Sequence, residues 1–211
     1  MANDGVTPAD AQGIAVAVTD LLQQLHQWDA FVLNAGEAVH WSPLTVVFLI
    51  ASAWWVKGPL FVLIGACGDV RARRQFPVTA SAAAVSALTA GIVSMALKEA
   101  FDRPRPGNSG IGAEPLVATP ADPSFPSGHT LTAFAAAAVV SSFHPRLRWP
   151  LFGLAAIVGL SRIYLGVHFW LDVLAGAAAG VMVGLAAAWI ARKAEWRIRA
   201  IIRARSLARN R

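Results

Sequence analysis

Hydrophobic residues fall into five long blocks, at about residues 44–67, 78–97, 130–143, 150–165 and 171–190. A helix needs about 20 apolar residues to cross a bilayer. The first, second and fifth blocks meet that length, while the third and fourth are short and are expected to borrow a turn from their flanks. No block shows the period-two alternation of a membrane strand. Ala, Gly and Ser recur in the later blocks, which lets helices approach closely in lipid. The pattern predicts an all-α fold, a polytopic membrane bundle of about five transmembrane helices within residues 41–191.

The two ends read differently. In residues 1–40, Ile14, Val18, Leu21, Leu22, Leu25, Trp28 and Val32 recur at helical spacing, with Asp20, Gln23, Gln24 and Gln27 on the other side. This predicts an amphipathic helix lying in the membrane interface. The stretch carries Asp4 and Asp10 where a secretory signal would be positive, so it is not read as one. Residues 192–211 predict a basic helical tail, with Trp196, Ile198, Ile201, Ile202 and Leu207 interleaved among cations. Attraction to anionic lipid suits it, as does a simply solvated tail.

Composition narrows the class. Of the 211 residues, 56% are hydrophobic and 14% charged, too few charges for a soluble domain. The single cysteine excludes a disulfide scaffold, and Cys67 is expected to be a small core residue. The net charge of +6 raises the question of nucleic acid, but placement argues against that partner. No Lys or Arg precedes Lys57, and eight of the eighteen lie in 192–211. With five spans, residues 71–74, 145–148 and the tail share one side and hold thirteen of the eighteen. The positive-inside rule puts that side in the cytoplasm. The N-terminus, loop 101–129 and the turn 162–171 then face outward. Lys57 interrupts the first block beside Trp54 and Trp55. It either snorkels at an interfacial belt or faces the bundle interior.

The outward side gathers the chemistry. The second block ends in Lys98, Arg105 and Pro106; the third opens with Pro126, Ser127, Gly128 and His129. The fourth ends in Ser161 and Arg162, followed by His168 and Asp172. Lys98, Arg105 and Arg162 put three cations on one rim, where an anion would offset their repulsion. Arg offers a planar fork for phosphate oxygens. Free N–H groups where Gly128 opens a helix, and the Ser127 hydroxyl, add donors. Pairing with lipid headgroups, or with Glu99 and Asp102, is the plainer account of the same cations. His168 and Asp172 are one helical turn apart, so the carboxylate can orient the ring. A neutral imidazole so held can attack phosphorus, and His129 can protonate a leaving oxygen and then activate water. Asp172 also suits a helix N-cap. His26, His40 and His144 read as interfacial side chains or caps. A metal bound by His129, His168 and Asp172 is disfavoured by the three adjacent cations.

Lys98-x6-Arg105-Pro106, Pro126-Ser127-Gly128-His129 and Ser161-Arg162-x5-His168-x3-Asp172 together resemble the three-part signature of the type-2 phosphatidic acid phosphatase superfamily. The resemblance spans about 75 residues, without a substitution at a motif position. It implies a metal-independent, cofactor-free membrane phosphatase acting on a lipid phosphate at the outer surface of a bacterial inner membrane. It also implies His168 as nucleophile, Asp172 as its orienting partner and His129 as acid/base. Lys98, Arg105, Ser127, Gly128 and Arg162 would hold phosphate. The substrate it suggests is undecaprenyl diphosphate, with phosphatidylglycerol phosphate, phosphatidate and lipid A phosphates as alternatives. Integral members often have six spans, and the shorter bacterial ones lacking a clear first span are more similar to this chain.

Other classes fit less well. A serine hydrolase using Ser127 and His129 lacks a GxSxG elbow. A soluble vanadate-dependent haloperoxidase shares the anion-site signature but would not carry apolar spans. A non-catalytic lipid transporter or scaffold needs no nucleophile–base pair.

Overall fold

The computed structural model describes residues 8–110 and 114–209. Its helices are α1 (Pro8–Ala38), α2 (Ser42–Ala51), α3 (Trp54–Lys57), α4 (Pro59–Arg71), α5 (Val78–Phe101), α6 (Pro106–Ser109), α7 (Gly128–Phe143), α8 (Arg148–Tyr164) and α9 (Trp170–Arg209). The third and fourth blocks do gain residues from their flanks: α7 starts at Gly128 and α8 at Arg148. Among the described residues, the helices built on α5 and α9 are long and apolar enough to cross a membrane alone. At 1.5 Å per residue, the 24 residues of α5 reach about 36 Å.

The first block departs from expectation. Instead of one span it forms α2, α3 and α4, with breaks at Ser52–Ala53 and at Gly58. Pro59 opens α4, where its missing N–H costs nothing, but its ring would clash with a helix continuing from α3. Irregular backbone at this level is tolerable where it borders a polar cavity rather than lipid.

α7 is the hub. Nearly all its side chains from Thr130 to Ser141 are buried, and α4, α5, α8 and α9 surround it. Its alanines leave room for a close crossing with α9. Cβ atoms added at Gly176, Gly180 and Gly184 would collide with the backbone oxygens of Ser127, Leu131 and Ala135. One face of α9 therefore rests directly on the α7 backbone, the small-residue contact expected without a hydrophobic drive between helices. The outer faces are apolar: Leu88, Ile92 and Met95 on α5 and Met182, Leu185 and Trp189 on α9 are all exposed.

The basic segments meet at one end. Arg74 pairs with Glu195 at 3.0 Å, and Arg74 and Arg192 both lie over the Phe143 ring. The predicted tail is not separate; α9 runs unbroken through it to Arg209. At the same end the buried Asp69 carboxylate accepts the N–H groups of Thr79 and Ala80, which α5 cannot satisfy itself.

Two further expectations change. Cys67 is exposed, not a core residue. The buried face of α4 is Phe61, Gly65, Gly68 and Asp69, and Cys67 falls on the opposite side of the helix. In α1, Asp29 and Leu33 face the bundle while Trp28 and Phe31 point outward. The side chains of Ile14, Val18, Leu21, Leu22 and His26, and all of Asp4, lie outside the described residues.

Candidate functional site

At the end of the bundle opposite Arg74 and Arg192 is a cavity of about 310 Å³. Lys57, Lys98, Arg105, Asp122, Gly128, His129, Arg162 and His168 line it. Segments distant in the chain reach it because helices end there. Lys98 lies in the last turn of α5, after which Asp102 takes a left-handed conformation (φ 40°) and turns the chain back across the bundle. Arg105 follows at the N-cap of α6. Gly128 and His129 open α7, and Arg162 lies in the last turn of α8. His168 sits in the turn between α8 and α9. Gly166 makes that turn with φ 72°, and a Cβ there would come 3.0 Å from Pro115 Cα.

Arg105 is 4% exposed and almost fully engaged. Its Nε donates to the Asp122 backbone oxygen (2.8 Å) and Nη2 to Asp122 Oδ1 (2.8 Å). Its Nη1 donates to the Val167 oxygen (2.8 Å) and approaches His168 Nε2 at 3.2 Å. Arginine cannot accept, so Nε2 presents its lone pair and the ring proton belongs on Nδ1. Nδ1 lies 3.4 Å from Asp172 Oδ2. Burial, with the Arg105 charge, lowers the His168 pKa to about 4 against the pull of Asp172, so the ring is neutral at pH 7. Asp172 is the third residue of α9 and not its N-cap as expected; its Oδ2 accepts the Phe169 N–H at 2.9 Å, the reach-back half of a capping box, and faces the His168 ring.

Lys98 donates to the Pro123 oxygen and pairs with Asp122 Oδ2 at 3.0 Å. Arg162 donates from Nη1 to Ser52 Oγ, and its Nε has no hydrogen-bond partner among the described residues. Burial would raise the Asp122 pKa, but hydrogen bonds and charge from Lys98 and Arg105 hold it below the usual carboxylate range. Four cations thus meet one carboxylate in a single cavity.

Of the predicted residues, Lys98, Arg105, Gly128, His129, Arg162 and His168 come together on the cavity wall. Asp172 stands one layer behind His168. Ser127 is fully buried and does not line the cavity; its Oγ accepts from Thr130. His40 and His144 are elsewhere: His40 Nε2 lies 3.2 Å from the Tyr164 oxygen, and His144 lies against Thr79 and Asp69. Lys57 faces the cavity, which decides between its two readings. Asp122 was not anticipated. Its only sequence signal is an acidic residue shortly before Pro126-Ser127-Gly128-His129.

The PAP2 superfamily pattern matches residues 79–196, more than half the chain and the stretch holding every predicted motif. The chain belongs to the PAP2 superfamily. Among PAP2 relatives, the bacitracin transport permease protein BcrC of Bacillus licheniformis is 44% identical over 78 residues, covering 37% of this chain and 38% of that protein. The putative undecaprenyl-diphosphatase YbjG of Escherichia coli is 35% identical over 150 residues, covering 70% and 67%. The chain therefore spans 38% of one relative's length and 67% of the other's. The crystal structure of a transmembrane PAP2-type phosphatidylglycerolphosphate phosphatase from Bacillus subtilis superposes with a TM-score of 0.64 at 25% identity, covering 84% of this chain and 96% of that one. The all-helical PAP2 fold is shared.

Proposed function

We propose that this chain is a membrane-embedded phosphatase of a lipid phosphate or diphosphate, working through a phospho-histidine. The observation that carries the reading is the excess of cations, four to one carboxylate, around the unprotonated Nε2 of His168, which faces Arg105 Nη1 at 3.2 Å. His168 Nε2 attacks phosphorus in line with the lipid oxygen. The N–P bond forms as the P–O bond breaks, and His129 gives the leaving oxygen its proton. Water then attacks the phospho-histidine, His129 takes its proton, and phosphate departs with His168 restored. Lys98, Arg105 and Arg162 stabilise the three equatorial oxygens through both displacements. The likeness to YbjG favours undecaprenyl diphosphate as substrate. Taking α2–α4 together as one crossing beside α5, α7, α8 and α9 gives this chain five, with the end carrying Arg74 and Arg192 in the cytoplasm and the cavity opening toward the periplasm.

A second substrate reading rests on a specific observation. The Bacillus subtilis neighbour of known structure is a phosphatidylglycerolphosphate phosphatase. Purified protein in detergent decides between them: inorganic phosphate release is measured from undecaprenyl diphosphate, phosphatidylglycerol phosphate, phosphatidate and a lipid A phosphate, with and without excess EDTA. The expected result is fastest release from undecaprenyl diphosphate, unchanged by EDTA. Faster turnover of another lipid overturns the substrate choice, a large EDTA loss overturns the metal-free mechanism, and no release from any overturns the activity.

Asp122 holds two of the phosphate-binding cations and must give them up when phosphate arrives. Its side chain is 53% exposed, so each pair is worth at most about 1 kcal/mol. Asp122→Asn removes both pairs and is expected to lower the inhibition constant of orthovanadate by up to about 30-fold. An increase would show instead that Asp122 helps assemble the site.

A further inference from the structure

Behind the cavity, Arg103 joins two buried carboxylates. Its Nη1 donates to Asp172 Oδ1 at 2.6 Å and its Nη2 to Asp29 Oδ2 at 2.5 Å, while its Cζ lies 4.2 Å from the Phe169 ring centroid. Asp29 and Asp172 are both completely buried. Arg103 does not line the cavity, so it reaches the reacting atoms only through Asp172.

We propose that Arg103 is a positioning residue for the His168–Asp172 pair, and that Asp29 of α1 sets how much of its charge Asp172 receives. The proposal rests on His168 being the nucleophile. A planar fork lying on an aromatic face serves both carboxylates at once. Arg103 occupies Asp172 Oδ1, leaving Oδ2 for the Phe169 N–H and the His168 ring, which fixes the carboxylate's rotation and so the imidazole's.

The same contact restrains the pull of Asp172 on the His168 proton. A buried carboxylate without its cation would favour an imidazolium beside it, and a protonated Nε2 cannot attack. Asp29 draws on the same guanidinium and so weakens that restraint. The other groups around His168 are Arg105 from the loop, Arg162 of α8 and His129 of α7. Across the cavity stand Lys57, Lys98 and Asp122. None of them touches Asp172, so their contributions are common to the variants compared below.

The test compares wild type, Arg103→Gln, Arg103→Lys, Asp29→Asn and the double variant Arg103→Gln/Asp29→Asn, each confirmed monodisperse in detergent. The double variant removes the uncompensated second carboxylate and keeps the experiment decisive should Arg103→Gln fail to fold. The readouts are kcat and KM for the best lipid substrate, the acid limb of kcat/KM against pH, and the ¹⁵N-histidine titration of His168 in substrate-free protein. Arg103→Gln and the double variant are expected to lose kcat by about 10- to 100-fold at pH 7 with KM changed less than about threefold, as for a group acting on the chemical step. Their His168 titration and acid limb move to higher pH. Asp29→Asn moves both to lower pH, and Arg103→Lys recovers part of the lost kcat. Loss of kcat with no movement of the titration makes Arg103 merely structural and overturns the proposal, as does a shift of equal sign in Asp29→Asn. Loss of activity in these variants while His168→Ala stays active would instead refute the nucleophile assignment itself.

Discussion

His168→Ala is expected to reduce phosphate release from every lipid substrate by roughly 10⁴-fold or more, with the helical content and detergent stability of the protein kept. The ring is 2% exposed, but it sits in a turn at the cavity wall, outside the Ala-rich packing of α7 that organises the bundle. Its loss leaves Lys98, Arg105 and Arg162 in place, so substrate binding should survive the loss of chemistry. The measurement is single-turnover phosphate release alongside orthovanadate binding. Retained turnover would reject the nucleophile; lost vanadate binding would make His168 a binding residue.

Arg105→Lys is expected to cost about 10²-fold in kcat/KM, and Arg105→Ala about 10³-fold. The change to Lys is severe because the guanidinium makes contacts in four directions at once, to the Asp122 backbone and carboxylate, the Val167 oxygen and the His168 ring. An ammonium provides a point charge and cannot reproduce that fork. It would hold phosphate less tightly and leave the His168 lone pair less well aimed. Steady-state kinetics should show kcat falling along with a raised KM. A raised KM alone would confine Arg105 to ground-state binding.

Much of the site was legible because it follows helix ends. Gly128, Arg162 and Asp172 lie at a start, an end and a start, and apolar blocks locate such ends well. Asp172 could be read as an N-cap or as an orienting group; it lies two residues inside α9, and from there one carboxylate oxygen meets both the Phe169 N–H and the His168 ring. Lys57 was readable only as an anomaly. Continuous apolarity in residues 44–67 hides the breaks at Ser52–Ala53 and Gly58, and those breaks are what turn Lys57 inward. The same uniform apolarity left Cys67 without a helix phase, so its exposure could not be foreseen.

Arg103 and Asp122 escaped for another reason: their roles arise from contacts between distant segments. Asp29 is 74 positions from Arg103, and Asp122 is 17 from Arg105. Nothing in either local pattern distinguishes a structural ion pair from a group that acts on the phosphate site. For α1 the sequence offered an amphipathic stripe but gave no sign that the buried face would carry a carboxylate.

The most direct measurement is capture of the covalent intermediate. Wild-type protein is mixed with ³²P-labelled lipid substrate, quenched within milliseconds into alkali, digested and mapped. An acid-labile, alkali-stable phosphoryl group on the peptide carrying His168, appearing before free phosphate, is the predicted result. Label on His129 or any other residue, or phosphate release with no labelled protein at any quench time, would contradict it.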